Sequence, residues 1–127
     1  MGGKVTAVSR LTKKAATLVR LKGGDLFGFA GLWDCWKYPD GLARDHYSFT
    51  IITTEPNDLV GKAHNRMPVI LRPEDEDRWL DPDLKDPEDL LPMLQPYPSE
   101  EMEGYPVTRA VNSPSHNGPD CIAPVSL

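Results

Sequence analysis

The sequence predicts an α+β fold with a curved, mainly antiparallel, barrel-like sheet and short helices. Three observations support this prediction. Runs of β-branched and aromatic residues recur along the chain, turns rich in glycine and proline separate them, and two acidic segments begin with proline. With 127 residues, the chain is predicted to form a single domain over residues 1–127.

Five segments predict β-strands because β-branched, aromatic and other apolar residues dominate them. They are residues 17–21, 26–32, 46–53, 67–71 and 105–111. The first two are predicted to form a hairpin, since Gly23 and Gly24 between them tolerate the positive φ of such turns. Gly28 and Gly31 indicate a bulge or a close approach of backbone or of a ligand. The segment 46–53 is predicted to be buried.

Two acidic segments predict short helices, over residues 73–80 and residues 86–94. Each has a proline at its start, where no backbone N–H is needed, and carboxylates in its first turn, where they complement the helix dipole. Asn57 or Asp58 is predicted to cap a further short helical turn. Residues 37–45 and 112–127 are predicted to be loops, because turn-forming residues are frequent there.

Charge is distributed unevenly along the chain, whose net charge is −5. Residues 1–54 carry a net charge of +4 and residues 55–127 a net charge of −9. The acidic total argues against non-specific binding of nucleic acid through bulk charge, so a nucleic-acid site must be a local patch. No apolar run reaches the roughly 18 residues that a membrane-spanning helix needs. No secretory signal is recognised either, so we expect a cytoplasmic protein without a membrane partner.

The spacing of cysteine and histidine residues predicts no metal site and no cofactor. Cys35 and Cys121 lie far apart, and no Cys-x-x-Cys or mixed Cys/His cluster has the spacing of a zinc site. His46, His64 and His116 are isolated from one another in the sequence. A disulfide scaffold is not expected with two cysteines in 127 residues.

Four residues are candidates for chemistry or binding, and each has two possible roles. Asp34, between Trp33 and Trp36, is either a general acid or base or a structural carboxylate beside core tryptophans. His64 is either a proton shuttle at neutral pH or a loop residue bonded to a backbone carbonyl. Arg66 either binds phosphate or forms an ion pair with a nearby acidic residue. Thr53 either donates a hydrogen bond to phosphate or forms a hydrogen bond with the local backbone.

Five segments, in this order, resemble the SOS response-associated peptidase (SRAP) family. They read FAGLWDCW, SFTIITTEPN, HNRMPVIL, WL and YPVTRAVN. The resemblance extends from about Thr17 to Val111 and therefore covers most of the chain.

This resemblance implies a protein that acts on abasic sites in single-stranded DNA during the DNA-damage response. In the family, an N-terminal cysteine attacks the ring-opened sugar and its thiol and α-amino group close a thiazolidine, which crosslinks protein to DNA. An autopeptidase activity is also ascribed to the family. Asp34 and His64 match its proton-shuttle positions, and Thr53 and Arg66 match positions that contact the DNA backbone. A cytoplasmic protein that associates with the nucleoid through DNA is the implied location.

The sequence also departs from the family pattern. Members begin with Met-Cys-Gly-Arg and carry an Asn-Ala-Arg-x-Glu motif upstream of the matched half, whereas this chain begins Met1-Gly2-Gly3-Lys4. Three interpretations are open. The first is a SRAP protein whose upstream half is missing from this chain. The second is an inactive remnant that binds single-stranded DNA, and the third is an unrelated α+β interaction domain.

Overall fold

Two groups of segments make up the fold, in a computed structural model that describes residues 16–42 and 44–126. The first unit contains residues 16–26, 55–67 and 96–126 of the described chain. The second unit contains Phe27–Thr54, apart from residue 43, and Pro68–Gln95. Residues 1–16, which are basic and show no clear hydrophobic period in the sequence, fall almost wholly outside the described residues.

The first unit is organised by an antiparallel pair of strands, β1 (Ala16–Leu21) and β6 (Met102–Val107). Residues at both ends of the pair, from Ala16 opposite Val107 to Leu21 opposite Met102, are buried. Strand β1 confirms the segment predicted at 17–21, but the predicted hairpin partner at 26–32 is wrong. The residues of β1 pair with residues of β6 that lie more than 80 positions later in the sequence. Turn-forming residues next to β1 cannot indicate so distant a partner.

Short 3₁₀ helices make up the other regular structure of the first unit. Their bounds are Val60–Lys62, Ser99–Glu101, Arg109–Asn112 and Pro119–Ile122. The strand predicted at 105–111 thus begins earlier and ends at Val107, because Thr108 starts a helical turn by accepting a hydrogen bond from the Ala110 N–H. Gly23 and Gly24 form a turn with φ of 87° and 77°, as their type predicts.

The second unit contains an antiparallel hairpin of β2 (Gly31–Lys37) and β3 (Asp45–Ile51). The close approach predicted at Gly31 is confirmed, since a Cβ there would lie 3.0 Å from the carbonyl oxygen of Thr50. The prediction that 46–53 is buried is wrong, because every residue of β3 before Ile51 is exposed. An apolar strand is buried only where another part of the protein packs against it, and the described residues provide no such packing for β3.

The core of the second unit forms where three chain segments meet. The Ala30 N–H donates to the Val69 carbonyl, the Val69 N–H to the Ile52 carbonyl and the Ile52 N–H to the Ala30 carbonyl, each at 2.9 Å. Ala30 and Val69 are fully buried, with Leu71 and Met93 completing the core. Strand β4 (Thr53–Thr54) continues from Ile52, and β5 (Met67–Pro68) precedes Val69.

Two short helices cover this core. Helix α1 (Pro73–Leu80) has the predicted bounds, with proline in its first turn and three carboxylates there. Helix α2 (Pro87–Leu90) begins after Asp86, whose side chain accepts a hydrogen bond from the Glu88 N–H at 3.0 Å, and passes into a 3₁₀ turn over Leu91–Met93. Side chains packed on the core include Trp79, Leu84, Leu90 and Leu94.

The predicted α+β class is confirmed, because the structure combines antiparallel strands with a few short helices. The predicted barrel-like sheet is not found, since the described strands form three two-stranded sheets and no closed barrel. The sheets formed by the described residues have two strands each. Within residues 16–42 and 44–126, no helix has the length and apolar character to cross a membrane.

The buried core predicts which leucine substitutions destabilise the protein. Leu71→Ala removes a side chain that is 4% exposed and should lower the free energy of unfolding by about 2–5 kcal/mol. Leu80→Ala removes one that is 76% exposed and should change it by less than about 0.5 kcal/mol. Urea unfolding followed by circular dichroism measures both, and equal effects would contradict this assignment of the core.

Candidate functional site

The residues around His64 form a short loop in the first unit, residues 57–66, which we call the His64 loop. Its 3₁₀ turn is anchored by the buried side chains of Val60 and Ala63. The backbone N–H groups of Ala63 and His64 both donate to the Val60 carbonyl at 2.9 Å. Apolar anchors on one side of the turn therefore leave His64 exposed on the other.

Asn57 holds the start of the His64 loop. Its side-chain oxygen accepts a hydrogen bond from the Val60 N–H at 2.9 Å, and its side-chain nitrogen donates to the Tyr97 carbonyl at 2.6 Å. The same nitrogen lies 3.3 Å from Met102 Sδ, and the Asn57 N–H donates to Met67 Sδ at 3.3 Å. One amide thus ties the loop to two other segments. The bond from the Val60 N–H is of the kind predicted for a capping Asn57, although Leu59, whose side chain makes no capping hydrogen bond, directly precedes the 3₁₀ turn.

The imidazole of His64 is oriented by the backbone of Arg66. Nδ1 lies 3.0 Å from the Arg66 nitrogen and 3.0 Å from the Arg66 oxygen. The ring therefore meets one backbone donor and one backbone acceptor at the same atom. When Nδ1 is unprotonated it accepts from the N–H, and when it is protonated it donates to the carbonyl.

This geometry leaves Nε2 available for proton transfer. Nδ1 of His64 has a backbone partner whether or not it carries a proton, so the ring keeps one hydrogen bond to Arg66 in either state. A cavity of about 390 Å³ adjoins the ring, lined by Gly61, Lys62, Ala63, His64 and Asn65. The His64 loop has room beside its imidazole for part of a ligand.

Asp34 lies in the middle of β2, in the second unit, and is exposed. Its Oδ1 accepts a hydrogen bond from the Cys35 N–H at 2.8 Å. Trp33 and Trp36 beside it are 73% and 53% exposed, so the expectation that they are core residues is wrong. The reason is that the described chain covers neither face of the hairpin at this point.

The four predicted residues are divided between the two units. His64 and Arg66 lie together in the His64 loop, where the backbone of one binds the side chain of the other. Asp34 on β2 and Thr53 on β4 both belong to the second unit. Thr53 and Arg66 are exposed.

Sequence reasoning missed two structural contributors. The indole Nε1–H of Trp79 donates to the Gly31 carbonyl at 3.2 Å, which attaches α1 to the first residue of β2.

A group of three potential metal ligands lies near the end of the described chain. Each of its residues offers one ligand atom within 4.8 Å of the others, and they are His116, Asp120 and Cys121. His116 Nε2 lies 2.9 Å from Asp120 Oδ2. The spacing His-x-x-x-Asp-Cys was the available signal for this group, which could hold a metal ion.

Comparison with known proteins identifies similar sequences over most of the chain. The sequence pattern of the family described as SOS response associated peptidase (SRAP) matches residues 8–114. Abasic site processing protein YoqW of Bacillus subtilis is 48% identical over 104 residues, which cover 82% of this chain and 46% of YoqW. Abasic site processing protein HMCES of Xenopus tropicalis is 36% identical over 106 residues, which cover 83% of this chain and 31% of HMCES.

Solved structures support the same relationship. A crystal structure of a protein from Bacteroides thetaiotaomicron superimposes with a TM-score of 0.80 at 29% identity, covering 93% of this chain and 51% of that protein. A protein from Bordetella bronchiseptica superimposes with a TM-score of 0.63 at 28% identity, covering 78% of this chain and 48% of that protein. The chain spans about half the length of these structures and of YoqW.

The anchoring of the His64 loop predicts the effect of removing Asn57. Asn57→Ala deletes the acceptor for the Val60 N–H and the donor to the Tyr97 carbonyl, and should lower the free energy of unfolding by about 1–3 kcal/mol. Hydrogen exchange at the Val60 amide should accelerate in the same variant. Asn65→Ala, at an exposed position of the loop, is the control. Unaltered stability and exchange in Asn57→Ala would show that the amide does not anchor the loop.

Proposed function

The chain belongs to the SOS response-associated peptidase family, and on this basis we propose that it takes part in processing abasic sites in single-stranded DNA. The similar proteins YoqW and HMCES are both named abasic site processing proteins. The proposed chemistry is formation of a DNA–protein crosslink, with associated autopeptidase or lyase activity, within the DNA-damage response. Residues 1–127 then act as one SRAP-like domain, in the cytoplasm and on nucleoid DNA.

The observation that carries this proposal is the setting of His64. A ring-opened abasic sugar presents an aldehyde and a hydroxyl, and additions to the aldehyde require proton transfer. His64 offers an exposed imidazole whose Nδ1 has a backbone partner in every protonation state. We assign proton transfer at its Nε2, and the adjacent cavity receives the sugar.

Asp34 is the second proposed catalytic group. Its carboxylate is exposed and retains acceptor capacity beyond the single hydrogen bond from the Cys35 N–H. A carboxylate can supply or remove a proton during addition to an aldehyde. The role of Asp34 is therefore to exchange a proton with the sugar or the attacking group.

Binding of the DNA backbone is proposed for Arg66 and Thr53. Arg66 is exposed in the His64 loop, where Lys62 adds a second positive charge and residues 61–66 contain no carboxylate. A guanidinium group offers paired donors to phosphate, and a hydroxyl offers one. Such a local basic patch can bind DNA although the whole chain is acidic.

A second candidate function is binding to abasic DNA without covalent chemistry. The thiazolidine step needs a thiol next to a free α-amine. Cys35 and Cys121 instead have amide nitrogens, which donate to Asp34 Oδ1 and to the Gly118 carbonyl. Neither residue can close the ring, so these two cysteines favour a binding role for this chain when it acts by itself.

One experiment separates the two functions. The purified chain is incubated with a single-stranded oligonucleotide bearing one abasic site, beside an intact oligonucleotide of the same sequence. A heat-stable band on a denaturing gel supports covalent chemistry. A shifted band on a native gel without a covalent adduct supports binding alone. Absence of both would contradict both candidate functions.

His64→Ala should slow formation of the adduct about 100-fold or more, because a positioned proton donor contributes rate enhancement of this order. Affinity for the abasic oligonucleotide should change by less than about twofold, since the imidazole acts on the reaction rather than on binding. His116→Ala is the matched histidine control and should leave the rate unaltered. A rate equal to wild type in His64→Ala would eliminate the proton-transfer role.

Arg66→Ala should weaken binding to single-stranded DNA and reduce the slope of log K against log salt concentration by about 0.7, the value for one phosphate contact. Arg78→Ala removes the same charge from α1, where Arg78 pairs with Asp75, and should leave the slope unchanged. Fluorescence anisotropy over a salt series measures both. An equal slope in wild type and Arg66→Ala would assign Arg66 a structural role.

A further inference from the structure

Three side chains with different ligand atoms converge near the end of the described chain. They are His116, Asp120 and Cys121, which offer one nitrogen, one oxygen and one sulfur atom, all within 4.8 Å of one another. His116 Nε2 and Asp120 Oδ2 lie 2.9 Å apart, so a proton lies between an imidazole and a carboxylate. A metal ion can take the place of that proton, because metal ligands bind through unprotonated atoms.

The backbone on either side of Gly118 forms two turns that place these side chains together. On one side, the Cys121 N–H donates to the Gly118 carbonyl at 3.1 Å, at the start of the 3₁₀ helix that also carries Asp120. On the other side, the His116 N–H donates to the Ser113 carbonyl at 3.0 Å. The convergence of the three ligand atoms therefore follows from local hydrogen bonds within ten residues.

This segment is attached to strand β6 of the same unit. The Tyr105 hydroxyl donates to the Ile122 carbonyl at 2.7 Å, and the Val125 N–H donates to the Pro106 carbonyl at 2.9 Å. Strand β6 is in turn paired with β1 along its whole length. Because the backbone is held in this way, a metal ion would have to order side chains only, which lowers the entropic cost of binding.

Gly118 leaves space for the carboxylate of Asp120. A Cβ at position 118 would lie 2.8 Å from Asp120 Oδ1, which is closer than a Cβ and a nonbonded atom approach. The φ of Gly118 is −163°, an extended conformation that any residue adopts. The glycine is therefore needed for space rather than for conformation, and a side chain there would push the carboxylate from its place beside His116.

The three ligand atoms favour zinc over other metal ions. Thiolate, imidazole and carboxylate groups together suit Zn²⁺, whereas Ca²⁺ and Mg²⁺ prefer sites built from oxygen atoms alone. In a tetrahedral zinc site such ligand atoms lie about 3.3–3.6 Å apart. The observed separations reach this range if any two atoms approach by at most about 1.5 Å, which side-chain rotation can supply.

We propose that His116, Asp120 and Cys121 bind one Zn²⁺ ion, with water as the fourth ligand. The side chains of His116 and Asp120 are 38% and 56% exposed, so the ion and the water reach the site from solvent. The Cys121 thiol loses its proton on binding. This inference goes beyond the proposed function, because none of the three residues is assigned to DNA binding or to proton transfer. It replaces the expectation, drawn from the spacings of zinc motifs, that the chain has no metal site.

The test uses the full 127-residue chain, freed of metal by a chelator and kept reduced. Titration with Zn²⁺ in competition with a chromophoric chelator should show one ion bound per chain, and Mg²⁺ should not displace it. Co²⁺ serves as a spectroscopic probe, because a thiolate-to-cobalt charge-transfer band appears only when sulfur is a ligand. A chain that binds no Zn²⁺, or whose Co²⁺ complex lacks this band, would overturn the proposal.

Substitutions identify the ligands. Cys121→Ser should abolish the thiolate band and lower the affinity for Zn²⁺ more than about 100-fold, since even the outer-shell partners of metal ligands contribute roughly 10–100-fold. His116→Ala should lower the affinity by a similar factor. Cys35→Ser and His46→Ala are the matched controls and should retain the affinity and the spectrum. Loss of the band in Cys35→Ser but not in Cys121→Ser, or wild-type affinity in His116→Ala, would contradict the proposed ligands.

Gly118→Ala tests the geometry without removing a ligand. The added Cβ displaces the Asp120 carboxylate, so the affinity for Zn²⁺ should fall about tenfold or more. Asn117→Ala, at the adjacent exposed position, is the control. Circular dichroism should be the same in both variants, because alanine adopts the extended backbone of Gly118. Equal affinity in wild type and Gly118→Ala would remove Asp120 from the site and overturn the three-ligand arrangement.

These outcomes are distinguishable from those of the DNA experiments. Failure of the chain to bind or crosslink abasic DNA would leave its uptake of Zn²⁺ unaffected. Conversely, failure to bind Zn²⁺ would leave the DNA function standing, since the metal-free chain and His116→Ala should form the DNA adduct at equal rates.

Discussion

The second unit depends on a closed ring of three backbone hydrogen bonds among Ala30, Ile52 and Val69. Each residue donates to one of the others and accepts from the third. Ala30 and Val69 are fully buried, so their polar groups have to be satisfied by protein, and the ring satisfies them without side chains. The cost of ordering three distant segments is offset by this pairing and by burial of the adjacent apolar residues.

The ring also determines what the hairpin presents. Gly31 follows Ala30, and Ile51 precedes Ile52, so the ring holds the first pair of the β2–β3 register in place. A shift by one residue would exchange the two faces and move Asp34 to the side that now carries Trp33 and Cys35. The placement of Asp34 on one face and of Trp33 and Cys35 on the other therefore depends on the same backbone constraint.

In the first unit, local hydrogen bonds to the backbone orient the candidate residue His64. His64 is oriented by the main chain of Arg66, two residues away, and the loop that carries both is held by Asn57. Because Nδ1 meets a backbone N–H and a backbone carbonyl, the orientation of the ring does not depend on its protonation state. Residues 64–66 therefore contain the groups that orient the imidazole. Asn57 attaches the loop to a distant segment through its hydrogen bond to the Tyr97 carbonyl.

Much of the local structure was predictable from the sequence. Helix α1 over Pro73–Leu80 follows from its proline and its first-turn carboxylates. The hydrogen bond that the Asn57 side chain accepts from the Val60 N–H follows from the preference of asparagine for positions before helical turns. Asp34, His64, Thr53 and Arg66 were candidates because of their settings in the sequence, the family resemblance assigned them roles, and those roles are predictions. These features depend on neighbours within a few residues, which the sequence contains directly.

Only the tertiary structure decided which segments pair and which are covered. Strand β1 pairs with β6 across more than 80 residues, although a glycine turn directly after β1 favoured a local hairpin. Strand β3 and the tryptophans of β2 are exposed although their composition suits a core. The physical reason is that hydrophobicity is a property of one segment, whereas burial and strand pairing are properties of two, and the second partner is chosen by the whole fold.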